Sequence, residues 1–158
     1  MRLLHSGMGS SLMIFVLTLL FSMPLGLLVA FGRMSKIKPL QAVIKVFIAI
    51  LRGTPLMLQL LVVNFAPYYL FRISLPRWYR FAAIIIGFSI NYAAYFAEIY
   101  RSGIESIPKG QYEAASVLGY NKNQTFFRII FPQMVKRVLP PVTNEVITLV
   151  KDTSLAFV

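Results

Sequence analysis

Glu113-Ala114-Ala115-Ser116-Val117-Leu118-Gly119-Tyr120-Asn121-Lys122-Asn123-Gln124-Thr125-Phe126-Phe127-Arg128-Ile129-Ile130-Phe131-Pro132 sets a polar, alanine-rich turn of helix between strongly apolar segments. In a chain that is 58% hydrophobic, such a loop does not lie in lipid, because its polar side chains would go unsolvated there. It stands outside the membrane, where another protein can grip it.

The local chemistry of this loop is legible. Pro108 suits the first turn of a helix, where a missing N–H costs no intrahelical bond, with Ser106 as the cap. The helix runs through Tyr112 to Leu118 and stops at Gly119, which readily adopts the left-handed conformation. A second short helix starts near Asn121 or Asn123. Small Ala114 and Ala115 allow close approach to another surface, and Tyr112 and Leu118 offer larger contacts.

Outward from the loop, the solvent is lipid. Mean hydropathy is +0.71 with 13% charged residues, too apolar for a water-soluble fold. Ser11–Phe31 has 21 residues without a charge, about 31 Å as a helix, enough to cross the hydrocarbon. A cleaved signal segment is the competing reading. The length of the run and the basic cluster Arg33, Lys36 and Lys38 behind it favour a span. Pro24 and Gly26 are expected to loosen this helix.

The stretch 40–71 is too long for one straight span and is interrupted by Lys45 and Arg52. Pro55 disfavours helical geometry at Thr54. An interfacial helix over about 40–51, a bend at 52–55 and a span over about 54–71 follow. Residues 71–80, with Pro76, Trp78 and Tyr79 among three Arg, read as an aromatic interfacial turn. Phe81–Ala97 is a third uncharged run, 101–124 is the polar loop, and 129–150 is a fourth, less tidy span. The last residues, from Lys151, look like the opening of a fifth span that stops early. The fold expected is therefore an all-α integral membrane bundle, a single domain over 1–158.

The net charge of +11 has a topological meaning. The segments 33–45 and 101–137 hold ten Lys and Arg, and Arg2, Arg72, Arg77, Arg80 and Lys151 make five on the other side. By the positive-inside rule the polar loop is cytoplasmic and the N-terminus is outside. No basic helix or RNA-binding aromatic pattern accompanies the charge, so no nucleic-acid partner is expected. With five acids, one His and no Cys, neither a metal site nor a nucleophile–base cluster is expected. There is no G-x4-G-K-[ST] sequence for holding nucleotide phosphates, and no internal repeat of the kind secondary transporters use. The chain is not expected to be an enzyme.

The spacing E-A-A-x3-G-x9-I-x-L-P marks the cytoplasmic loop of ABC-importer permeases. Here Glu113, Ala114, Ala115, Gly119, Ile129 and Pro132 are in register, with Phe131 where Leu is usual. Arg52-Gly53-Thr54-Pro55-Leu56-Met57-Leu58-Gln59-Leu60 resembles the permeases for polar amino acids. So do residues 97–104, followed by 107–111, and the ending Lys151-Asp152-Thr153-Ser154-Leu155. The resemblance covers about residue 50 to the end; the first 50 residues match in hydropathy alone.

The resemblance implies the type I importer fold and a permease subunit in the bacterial cytoplasmic membrane. It implies a second permease subunit, identical or sister, an extracytoplasmic solute-binding protein, and a dimer of ATPases that uses ATP and Mg with no cofactor bound by this chain. It also implies that the Glu113 helix, in a coupling loop over about 101–126, docks on the ATPase. The identity of the solute stays open, and a small membrane protein outside this family is the residual alternative.

Polar groups at membrane depth face protein or water. Gln59, Asn64, Asn91, Asn144 and Glu145 are candidates for a translocation path, Glu145 foremost because it has no cation at i±4. Lys151 and Asp152 are expected near the outer boundary. The competing reading for each is hydrogen bonding between helices. Arg52 either contacts a substrate carboxylate or snorkels to headgroups, and Glu98 is expected to pair with Arg101 at i,i+3.

Overall fold

The computed structural model describes residues 2–72 and 76–157, with the backbone alone for 2–7, 71, 77, 155 and 157. The described residues form helices without a strand: α1 (Arg2–Arg33), α2 (Lys38–Gly53), α3 (Leu56–Phe71), α4 (Arg77–Glu105), α5 (Lys109–Val117), α6 (Lys122–Gln124) and α7 (Phe131–Asp152). A π-helical segment, Thr125–Ile130, joins α6 to α7, and a 3-10 turn, Thr153–Phe157, follows α7. The expected aromatic turn over 71–80 falls partly on 73–75, and the apolar ending includes Val158. Both positions lie outside the described residues.

The central contact is α1 on α4, and small residues make it. Thr18, Ser22, Gly26 and Ala30 recur every fourth position on α1 and are buried, as are Ser89, Ala93 and Ala97 on α4. Between helices in lipid, such stripes let the backbones close to van der Waals contact. A Cβ on Gly26 would lie 2.8 Å from Phe96 Cβ and 3.1 Å from the Ala93 carbonyl oxygen. Gly26 is therefore an element of packing, and α1 runs unbroken through Pro24 rather than loosening there. Gly26 faces residues 93–97 and Arg33 faces Glu98, with Nε 4.0 Å from Oε1. Both partners advance together, so α1 and α4 are parallel. The ends at Arg33 and Glu105 share one side of the bundle.

The bend between α2 and α3 is 106° and sits where Pro55 predicts it. Thr54 is extended (φ −116°, ψ 144°), as a residue before proline prefers. The break exposes carbonyls at the end of α2, and side chains satisfy them, as burial in lipid demands. Thr54 Oγ1 donates to Ile50 O at 2.7 Å, and Gln59 Nε2 donates to Leu51 O at 2.8 Å. From α4, Asn91 Nδ2 donates to Leu51 O at 3.2 Å and to Gln59 Oε1 at 2.9 Å. The bend is thereby stitched to α4.

Among the described residues, two helices, Met8–Arg33 and Trp78–Glu105, are long and apolar enough to cross a membrane, or three spans if the bent α2–α3 pair is one. Where a fourth span is expected, the structure has the helix α7. α7 has 22 residues, but Lys136, Arg137, Asn144, Glu145, Lys151 and Asp152 lie along it. It packs beside the end of α4, where a Cβ on Gly103 would overlap Val138 Cγ2. Its other end meets the middle of α4, where Tyr92 Oη donates to Asp152 Oδ2 at 2.7 Å. Asp152 is thus at mid-length of α4 and not at the outer boundary. Periodicity gave the helix its face, and only the packing gave its depth.

Candidate coupling loop and interior polar residues

The loop is built from three local devices. Pro108 (φ −60°, ψ 141°) is the cap residue of α5 itself. Ser106 closes α4 instead, its Oγ donating to Gly103 O at 2.7 Å, so the expected capping by Ser106 is displaced by one short connection. At the other end Gly119 has φ +77°. Its N–H donates to Ser116 O at 3.0 Å and the Tyr120 N–H to Ala115 O at 3.1 Å, a complete Schellman closure that uses the free carbonyls of the last turn. Two residues on, Asn121 Oδ1 accepts from the Gln124 N–H (2.9 Å), while Gln124 Oε1 accepts from the Asn121 N–H (3.0 Å). This capping box makes Asn121, of the two positions expected, the start of the second helix.

The faces of the loop separate cleanly. Glu113 and Ala114 are exposed, with Tyr112, Val117 and Leu118 presenting apolar surface beside them. Ala115 is 1% exposed, so its small size serves the approach of α5 to this chain's own π segment rather than to an external surface. Lys109 opens α5, four residues before Glu113, and among the described residues Glu113 has no ion pair. Gly119 and Pro132 are exposed and Ile129 is half-buried; Ile130, its neighbour, is the residue buried under the loop.

At the same end of the bundle, Glu98 accepts from Arg101 Nε (3.0 Å) and Nη2 (2.7 Å), the expected i,i+3 pair, and Arg101 Nη1 also reaches Glu105 Oε2. Arg33 completes this charged rim from α1.

The interior polar residues divide. Gln59 and Asn91 are consumed by the stitching of the bend, and Asn64 Nδ2 donates to Leu60 O in its own helix at 3.0 Å. Gln59 and Asn91 thus bond between helices, whereas Asn64 bonds only within α3. Asn144 is exposed and Glu145 half-buried on α7. Glu145 lies within electrostatic range of Arg52 and Asp152. The Arg52 guanidinium sits over the Tyr95 ring, 5.1 Å from its centroid, an attraction between cation and ring face. Tyr92 stacks on Phe88 with ring centroids 6.4 Å apart and holds Asp152. Arg52, Tyr95, Glu145 and Asp152 thus gather three charges and an aromatic face from α2, α4 and α7. Tyr92 and Tyr95 are absent from the sequence-derived set, and Asp152 is named there for the outer boundary rather than for this cluster. An aromatic run spaced as Phe88, Tyr92, Tyr95, Phe96 on one helix is a signal that could have drawn attention to them.

Comparison with known proteins agrees with this architecture. Residues 22–157 match the model of the family described as binding-protein-dependent transport system inner membrane component. The chain is 40% identical over 98% of its length to the L-cystine transport system permease protein TcyB of Bacillus subtilis, of which it covers 64%. It is 37% identical over 89% of its length to the putative glutamine transport system permease protein GlnP of Rickettsia bellii, covering 63% of that protein. It spans less than two thirds of the length of these curated relatives. A solved structure described as an amino acid ABC transporter with histidines superimposes with a TM-score of 0.84 at 35% identity, covering 98% of this chain and 71% of that one. The chain belongs to the family of inner membrane components of binding-protein-dependent transport systems.

Proposed function

We propose that this chain supplies the membrane-spanning path of an ATP-driven importer for a polar amino acid, received from an extracytoplasmic binding protein. The observation that carries the reading is the E-A-A…G loop, realised as an exposed helix with a Schellman closure at the charged end of an apolar bundle. Relatives named for L-cystine, glutamine and arginine transport support the substrate class.

In this reading the 101–126 loop is cytoplasmic and the N-terminus outside. The parallel course of α1 and α4 supports it, because it brings the basic segments after Arg33 and after Arg101 to one side. α5 docks on an ATPase dimer through Glu113, Ala114 and the exposed Tyr112, Val117 and Leu118, while Ala115, Gly119, Ile129 and Pro132 shape the loop behind them. ATP and Mg are bound by that partner, and this chain needs no cofactor. A second permease subunit, identical or sister, completes the path.

Among the path candidates, the reading favours Glu145 with Arg52, together with Tyr95 and Asp152. Opposite charges a short way apart suit a zwitterion, whose ammonium and carboxylate lose hydration on entering. Gln59 and Asn91 hold helices together in this account, Asn64 is spent on a carbonyl of its own helix, and Asn144 borders the path.

Reconstitution in liposomes of the permease with its ATPase and binding protein tests the reading. ATP-dependent uptake of a polar amino acid is expected, and a cysteine in place of Asn121 should be labelled from the cytoplasmic side alone. Uptake that needs no ATPase, or labelling of that cysteine from outside alone, would overturn it.

A further inference from the structure

We propose that Gln133 and Arg137 form a two-point latch by which movement of α5 is delivered into α7; the proposal rests on the docking role given to α5 above. The covalent connections do not fix α5 by themselves. It hangs from α4 through residues 106–108 and from α6 through 118–121, two short links on which a nine-residue helix can swing. Its angle is held by packing on the π segment and, at the surface, by the start of α7.

Gln133 and Arg137 are four residues apart on α7, so they share one face. Gln133 Nε2 donates to Gln111 Oε1 on α5 at 3.0 Å and to Ile129 O at 3.0 Å. Arg137 Nη1 donates to Ser106 O, the carbonyl that follows the end of α4. One residue thus ties α7 to α5, and the next turn ties it to the segment where α4 hands over to α5.

Beneath the latch, Ile107, Ala115, Thr125 and Ile130 are buried and α5 packs on the π segment. From Phe131 to Asp152 α7 is one continuous helix. Glu145 lies eight residues beyond Arg137, about 12 Å along the axis. Pro140 and Pro141 lie between them and remove two backbone donors, yet the helix continues through both, so a displacement of α5 that the latch transmits reaches the charged group of the path along one helix.

Gln133 and Arg137 act as positioning residues, touching neither substrate nor nucleotide. Gln133→Leu is the informative variant, because its bond to Gln111 lies at the surface and membrane assembly does not depend on it. In liposomes holding permease, ATPase and binding protein, Gln133→Leu should associate with the ATPase and hydrolyse ATP as wild type does. Uptake per ATP hydrolysed should fall about fivefold, within the range that contacts along a coupling route modulate. Arg137→Gln should behave alike. Gln111→Glu combined with Gln133→Lys, which rebuilds the contact as an ion pair, should restore most of the lost uptake.

Uptake per ATP at the wild-type level in Gln133→Leu and Arg137→Gln would overturn the latch. So would failure of the rebuilt pair to recover while the ATPase remains bound. Failure of the docking reading looks different, since the wild-type permease would then show no association with the ATPase at all.

Discussion

The α1–α4 seam and the α5–α7 head are joined in opposite ways. The seam is closed by residues with almost no side chain, Gly26, Ala30, Ala93 and Ala97, so its stability is steric and leaves no room for rearrangement. The head rests on a small buried patch, Ile107, Ala115 and Ile130, and is otherwise held by Gln111–Gln133, Arg137–Ser106 and the turn at Gly119, polar contacts open to solvent. Close packing resists partial displacement, whereas exposed hydrogen bonds exchange readily with water. The molecule therefore separates a rigid scaffold from a head that can be moved.

Overfilling the seam is the severest way to break that comparison. Gly26→Leu pushes a Cβ against Phe96 and the Ala93 backbone, and should destabilise the protein by about 3 kcal/mol, the upper range for overpacking. Thermal unfolding in detergent measures it, and a variant as stable as wild type would refute the seam. The bend comes next. Gln59→Leu removes one of two donors to Leu51 O and one of two acceptors of Asn91, and should cost about 1.5 kcal/mol for the hydrogen bonds lost. Tyr92→Phe deprives the Asp152 carboxylate of its 2.7 Å donor, and should cost about 1.5 kcal/mol. Unfolding of the same preparations checks both. Gly53→Ala sharpens the picture from the other side. A Cβ there meets nothing within 4 Å at the end of α2, so its effect should stay within about 0.5 kcal/mol.

What the sequence disclosed follows the same division. The bend at Pro55, the glycine stop at 119 and the apolar runs were legible because each depends on the chemistry of neighbouring residues. Pairings across the chain were not. Gln59 meets Asn91 and Tyr92 meets Asp152 because helices far apart in sequence pack at a particular depth, which periodicity does not encode. The inward turn of Ala115 was hidden for the same reason, since an alanine fits a neighbouring helix and a partner's groove equally well. The helix over 129–150 was legible from length and pattern, while its meeting with the middle of α4 through Asp152 is set by tertiary packing. Within the loop, the E-A-A…G residues were legible as a pattern, and Gln133 and Arg137, which bond to Gln111 and Ser106, were passed over as ordinary polar positions.

In the proposed function, the loop around Glu113 couples this chain to an ATPase. Its most direct test is substrate-stimulated ATP hydrolysis by the assembled transporter carrying Gly119→Leu or Glu113→Lys. At φ +77° a side chain on residue 119 is strained by about 1–2 kcal/mol, with open space around it, so the damage stays in the loop. Both variants should insert and receive substrate normally yet lose the stimulation and the uptake. Stimulation at the wild-type level in both would contradict the account.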